Sequence, residues 1–300
     1  MSTPQTIREY LEQLRIALGN ADPALLQDAL YDAEDHLRSE LAENPGRSEA
    51  EVLARIANSY GAPEEVAAIY VDKEQVVQTA LRSPPPPARR SALGRFFGVA
   101  ADPRAYAALF YMLLSMATGI FYFVWAVTGV SLSIGLSILI FGIVFAALFF
   151  GSVRVLALVE GRIIEVMLGE RMPRRPQYQD RELSWRQRVV AMFTDPRTWS
   201  TLLYMVLMLP LGILYFTLAV VGIALSIGMV AAPIAVLLAQ SGAIEGGIYL
   251  DGQSILPPIV LLPVVLLLGA VLPFALLHLA RGIAHFQGAL AKHLLVKSAG

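Results

Sequence analysis

Asp32, Glu34, Asp35 and His36 crowd a short stretch near the N-terminus. On a helix, Asp32 and His36 stand four residues apart and share a face, the spacing that offers a divalent cation two ligands. No second cluster completes a coordination shell, so a solvated helix face is the preferred reading and no metal is expected. His278, His285 and His293 recur every seven or eight residues. Imidazoles titrate near neutral pH, but a band of histidines at a membrane interface accounts for them more simply. Asp102-Pro103-Arg104 recurs as Asp195-Pro196-Arg197. Asp suits a helix N-cap, Pro its first turn, and Arg an aqueous membrane edge. Asp102, Arg104, Asp195 and Arg197 are therefore expected to anchor helix starts at the membrane edge, with an ion or phosphate site as the alternative. Arg171, Arg174, Arg175, Arg181, Arg186 and Arg188 form a basic stretch. Anionic lipid headgroups are the expected partner of Arg171, Arg174, Arg175, Arg186 and Arg188, at about 1 kcal/mol per charge. The chain's own acidic N-terminal segment is the alternative partner. Glu245, Tyr249 and Asp251 sit in a glycine-rich segment and are candidates for a ligand-sensing loop, against the plainer reading of a surface loop. No phosphate-binding glycine loop, zinc-protease helix or nucleophile elbow is present. No enzyme activity and no cofactor are expected.

The elements that position these residues follow from composition. The 300 residues are 56% hydrophobic and 16% charged, with no cysteine, whereas a soluble domain is about 45–50% apolar and about 25% charged. The net charge of −1 conceals a division. Residues 1–82 hold 15 Asp and Glu against 7 Lys and Arg, a net of −8, and the remainder holds 9 against 16, a net of +7. Pro84, Pro85, Pro86 and Pro87 lie at the join, a run that favours an extended spacer over a helix. Residues 105–153 and 198–244 contain no charged side chain. Each run is long enough for two crossings at about 20 residues per helix, and a further apolar stretch spans 255–280. The polar, helix-patterned start of the chain does not read as a signal peptide.

The apolar part repeats. Residues 102–135 align without a gap on 195–228 with 18 identities in 34 positions. Residues 157–161 resemble 284–288 at a larger offset, so the second copy carries an insertion at about 229–255. Each copy reads as a helical hairpin, 105–127 with 135–158 and 198–221 with 256–280. Nine arginines lie in 154–197, whereas 129–133 and 240–254 have neither Lys nor Arg. Positive-inside counting then expects four crossings with both termini cytoplasmic. A fifth crossing through 229–244 would place the basic C-terminus outside, so that piece is read as interfacial or re-entrant. Residues 154–169 alternate Arg and Glu with apolar residues at helical spacing, and Gly169 suits a C-cap. This helix either continues the second crossing or lies on the bilayer surface.

The first 82 residues read as a small helical domain. Ile7, Tyr10, Leu11, Leu14 and Leu18 share a helical face, and Asp22-Pro23 opens a second helix. Ser48 with Glu51 forms a capping box, and Gly61-Ala62-Pro63 separates the third helix from the fourth. The fold class is thus all-α: residues 1–82 as an acidic cytoplasmic domain, 83–101 as linker, 102–170 as the first membrane hairpin, 171–194 as a basic connector, and 195–300 as the second hairpin.

Tyr10-Leu11-x-x-Leu14, the run Tyr31 to Leu37, Ser48-x-x-Glu51 and Gly61-x-Pro63-x-x-Val66-Ala67 resemble the HAAS signalling domain, often found beside PadR-like regulators. Tyr60-Gly61-Ala62-Pro63 stands where that family usually has Leu-Gly-Asp-Pro. Asp195-Pro196-Arg197-Thr198-Trp199, Leu209-Pro210-Leu211-Gly212, Tyr215-Phe216 and His278-Leu279-Ala280-Arg281-Gly282 resemble the sensor domain found ahead of actinobacterial histidine kinases. The resemblances imply a sensor in a bacterial cytoplasmic membrane that relays an envelope or membrane signal to a cytoplasmic PadR-like regulator or histidine kinase. No kinase sequence follows through Gly300, so phosphotransfer is expected from another protein. Membrane lipids are expected partners, nucleic acid is not, and a homo-oligomer is allowed. The alternative is a membrane anchor or a non-catalytic subunit of a transporter or other membrane complex. A reporter fused after Gly300 is expected to read cytoplasmic, and one inserted in 240–254 extracytoplasmic; a fusion after Gly300 that reads extracytoplasmic overturns the four-crossing topology.

Overall fold

The computed structural model describes residues 4–81, 91–138, 140–175, 193–241, 249–250, 253–254 and 259–296. The N-terminal module is four helices, α1 (Ile7–Leu18), α2 (Pro23–Glu43), α3 (Glu49–Ser59) and α4 (Pro63–Leu81). The starts of α1, α2 and α3 are written in their caps. Thr6 accepts from the Glu9 amide, Asp22 from the Ala24 amide with Pro23 in the first turn, and Ser48 and Glu51 close a reciprocal capping box. Between α3 and α4 the chain turns at Gly61, whose φ of +112° is a conformation that side chains resist. Tyr10, Leu14, Leu37, Ile56 and Val66 form the middle of the module's apolar core, and α1 lies against α2 and α4.

After a short helix, α5 (Ala92–Phe97), come α6 (Pro103–Gly135), α7 (Ile140–Leu168), α8 (Pro196–Gln240) and α9 (Leu262–Leu295). These last four are long and apolar enough to cross a membrane. The 33 residues of α6 span about 50 Å at about 1.5 Å per residue, more than the ~30 Å hydrocarbon core. Residues 154–168, for which a surface helix was the alternative, simply continue α7, and Gly169 (φ +76°) ends it. The apolar start of the insertion behaves differently from expectation. In place of an interfacial or re-entrant piece, α8 runs on without a break to Gln240, through Pro210 and Pro233. The helical ladder satisfies the peptide groups within the segment, as a strongly apolar surrounding requires, except for the carbonyls of Val206 and Met229, which Pro210 and Pro233 leave without a helical amide donor. Within the insertion, Tyr249–Leu250 and Gln253–Ser254 form a minimal antiparallel ladder.

The chain divides into two compact units: Met1–Arg82, Val124–Val206 and Gln287–Gly300 in one, Ser83–Phe123 and Leu207–Phe286 in the other. Within the second unit α6 and α8 approach backbone to backbone. A Cβ on Gly119 would stand 2.3 Å from the Met208 carbonyl oxygen, and one on Gly212 would stand 2.3 Å from the Ser115 carbonyl oxygen. Gly212 and Met208 are Gly119 and Ser115 displaced by 93 residues, so the contact is reciprocal between corresponding positions. Ser115 and Gly119 on α6 and Gly212 on α8 are the small residues that permit this approach where water supplies no drive for helix association. Corresponding contacts within the hairpins also match, those of the first falling in the first unit and those of the second in the second. Gly129 lies against Phe149 in one and Gly222 against Leu276 in the other; Gly142 lies against Leu136 and Gly269 against Met229.

Gly119→Ala is expected to destabilise the full chain by about 1–3 kcal/mol, because backbone rather than a flexible side chain must yield. Gly151→Ala, whose added methyl meets nothing within 4 Å, is expected to be neutral or slightly stabilising. Unfolding of the two variants in bicelles checks the difference.

Candidate functional site

The left-handed turn at Gly169 releases the chain from α7 and presents Arg171 to the N-terminal module within the first unit. Arg171 is only 7% exposed, and the carboxylates around it are as buried: Asp28 of α2, Glu74 of α4 and Glu165 of the last turn of α7. Its Nη2 donates to Asp28 Oδ2 at 2.8 Å and its Nε to Glu74 Oε2 at 3.1 Å. Nη1 lies 3.9 Å from Glu165 Oε1 and donates to the Met172 carbonyl. The other Asp28 oxygen accepts from the amides of Arg174 and Arg175, both at 2.8 Å. Glu165 is further met by Arg174 and Arg162, each at 2.7 Å. Arg175 pairs with Asp32 at 2.8 Å, its carbonyl accepts from Gln27, and Lys292 of α9 reaches Asp22.

Burial alone would penalise every charge here. Burial raises the Asp28 carboxyl above its ordinary range, although hydrogen bonds from Arg171 and from the two backbone amides pull the other way. Burial also works against the Arg171 guanidinium, but its bonds to Asp28 and Glu74 outweigh that and hold it above its usual value. A guanidinium presents its donors in a rigid planar fork, which is how one side chain engages both α2 and α4. Arg171 is therefore engaged by the protein's own carboxylates, among them Asp28 and Glu74 of the acidic N-terminal segment that was the alternative partner of the basic run. The side chains of Arg174 and Arg175 keep 43% and 54% exposure and remain open to solvent beside their ion pairs. Arg186 and Arg188 lie outside the described residues.

Asp102 and Asp195 cap α6 and α8: each accepts the amide of its own Arg104 or Arg197 at 3.0 Å. Each is also the ion partner of an arginine in the other copy's second helix, Asp195 with Arg154 at 3.4 Å and Asp102 with Arg281 at 3.6 Å. Arg281 is Arg154 displaced by 127 residues, the offset that also relates 157–161 to 284–288. Trp199 Nε1 and Tyr106 OH, at corresponding places in the first turn, reach back to the Phe193 and Ala100 carbonyls. Arg197 Nε donates to the Leu295 carbonyl at 2.9 Å.

A third polar group is wholly buried in the first unit. Gln287 Nε2 donates to Tyr204 OH, and Tyr204 OH donates to Glu160 Oε1, both at 2.8 Å, with none of the three more than 1% exposed. Glu160 and Gln287 are again related by 127 residues. Placing a carboxylate in such surroundings is costly unless it is hydrogen-bonded, and Tyr204 supplies one such bond.

The other sequence candidates are dispersed. His36 stacks on Tyr60, Asp32 accepts from Tyr70 OH, and Glu34 pairs with Arg38. Among the described residues no three His, Cys, Asp or Glu side chains form a group able to hold a metal. His278 stacks on Phe96, with Nε2 3.0 Å from the Phe96 carbonyl oxygen, while His285 and His293 are exposed. Tyr249 lies in the short ladder, and Glu245 and Asp251 lie outside the described residues. Asp28, Glu74, Glu165, Glu160 and Gln287 are not evident as a group in the sequence. The only signal for Asp28 and Glu74 is the acidic excess of residues 1–82 opposite the basic run from Arg171.

A protein-family model described as Putative sensor matches residues 111–295. No curated protein and no solved structure matches the chain.

Removing the centre of a buried ion cluster leaves carboxylates desolvated without their counter-charge, which costs about 3–5 kcal/mol. Arg171→Ala is expected to destabilise the chain by about that amount in chemical unfolding of the detergent-solubilised protein. Arg175→Ala, which removes a half-exposed side chain and leaves its amide on Asp28, is expected to cost under about 1 kcal/mol.

Proposed function

The chain belongs to the Putative sensor family, and on that premise we propose that it is a non-enzymatic membrane sensor in a bacterial cytoplasmic membrane. Its two hairpins respond to an envelope or membrane signal, and the acidic N-terminal module carries the response to a cytoplasmic regulatory protein. Both termini face the cytoplasm in this reading, as the arginine distribution favours. The resemblance of residues 1–82 to the HAAS domain points to a PadR-like regulator as the partner, and the resemblance of the membrane part to the sensor domain points to a histidine kinase.

The observation that carries the reading is the buried Arg171 cluster. It joins α2 and α4 of the module to the end of a candidate membrane span, α7, through charges that are stable only together. A relay needs two arrangements whose balance a signal shifts. An ion cluster supplies such a balance, because moving one arginine out of reach of Asp28 and Glu74 exposes the module's acidic α2 and α4 faces at once. The same acidic faces are suited to a basic partner surface.

The full-length protein, purified from its native membranes in mild detergent with bound partners identified by mass spectrometry, tests this. A relay predicts a regulator or kinase retained by the wild type, with recovery altered at least threefold by Arg171→Ala. Recovery of a transporter ATPase in stoichiometric amount, or of the same regulator by a chain lacking residues 1–82, contradicts it.

A further inference from the structure

Within the first unit, a cavity of about 180 Å³ lies where α2, α7, the start of α8 and the end of α9 meet. One water needs only about 10–15 Å³ by a comparable measure, so the space admits a polyatomic group. Its wall carries the guanidinium-bearing Arg154 and Arg197, Asp195, Thr198, Thr201 and, from the N-terminal module, Gln27. Thr198 is 2% exposed, and its hydroxyl has no hydrogen-bond partner among the described residues. Arg154 is held by Asp195 at 3.4 Å, long for a charge-assisted bond, and a guanidinium has five donors to place. One Asp195 oxygen is committed to the α8 cap, and two arginines against one aspartate leave the wall with a net positive charge.

The other copy serves as an internal comparison. Asp102 and Arg281 repeat the Asp195–Arg154 pairing, but Ala105 and Ala108 stand where Thr198 and Thr201 do. Ala105 is fully buried and packs with Val99 and Leu277 in an apolar cluster. The Arg281 side chain is 45% exposed, against 25% for Arg154. The same helix start therefore closes over hydrocarbon in one copy and lines a cationic, hydroxyl-bearing cavity in the other.

We propose that this cavity binds a phosphate group, either the headgroup of an anionic phospholipid or free phosphate, held by Arg154 and Arg197 with the Thr198 hydroxyl. Its tetrahedral oxygens match guanidinium donors and a hydroxyl donor. Because Gln27 belongs to the module, occupancy bears on the relay as well; binding itself stands or falls independently of that reading.

The test is a pair of titrations of the full-length protein in uncharged detergent, with inorganic phosphate and with dihexanoyl phosphatidylglycerol, read as saturable shifts in thermal unfolding and as adducts in native mass spectrometry. The wild type is expected to bind. Arg154→Gln should weaken binding at least tenfold and Thr198→Val at least threefold, while Arg281→Gln stays within twofold of wild type. Saturation by phosphate alone identifies a free anion as the source, and displacement of phosphate by the lipid identifies the headgroup; both support the site. No saturable binding of either anion, or equal loss in Arg154→Gln and Arg281→Gln, overturns it. Should Arg154→Gln fail to fold, unchanged affinity in Thr198→Val, which keeps the side-chain shape and loses the hydroxyl, overturns it alone.

Discussion

A guanidinium taken out of water must be repaid in kind, and Arg171 meets that constraint with carboxylates from three separate elements. Asp28 and Glu74 belong to the N-terminal module, while Glu165 belongs to the helix that Arg171 follows. Asp28 and Glu74 would not be stable so deeply buried without the arginine, and the arginine would not be stable without them. The arrangement thus makes the docking of α2 and α4 on the end of α7 a condition of burying the charges at all. The Asp22–Lys292 and Asp32–Arg175 pairs at its margin are more exposed and contribute little individually.

Around this contact the apolar helices follow a repeated plan. Reciprocal glycines let α6 and α8 touch backbone to backbone, and corresponding glycines seat each hairpin's second helix on its first. Every corresponding pair of contacts obeys one of two offsets, 93 for the first helices and 127 for the second. The insertion accounts for the difference, and its first residues, 229–240, lengthen α8. The two copies diverge at a few polar positions. Glu160 answers to Gln287, Thr198 to Ala105, and only the second copy's sequence carries the insertion that holds Glu245, Tyr249 and Asp251.

Much of this was legible in the residues. Helix starts were readable because Asp22, Ser48, Asp102 and Asp195 cap their own helices, a local interaction that spacing reveals. The repeat was readable because it preserves the glycines that close packing demands. The union of acidic module and basic run was visible as the −8 and +7 hidden in a net charge of −1. What could not be read was which arginine would be buried. Arg171, Arg174 and Arg175 look equivalent along the chain, and only the turn at Gly169 aims the first of them between α2 and α4. Pairings such as Asp28 with Arg171, 143 positions apart, depend on tertiary placement that no periodicity encodes. The continuation of α8 through residues 229–240 is not legible for a related reason: loop-charge counting constrains the sides of a membrane, not the length of a helix between them.

The central claim is that Arg171 holds the N-terminal module on the membrane hairpins. The chain has no cysteine, so two can be introduced cleanly, at exposed Ser39 on α2 and exposed Ala289 on α9. Spin labels at these positions in the full chain, reconstituted in lipid nanodiscs, report the separation directly by pulsed electron resonance. The account predicts one narrow distance distribution that broadens or splits on Arg171→Ala. A distribution already broad in the wild type, or one that stays narrow and unshifted in Arg171→Ala, would contradict it.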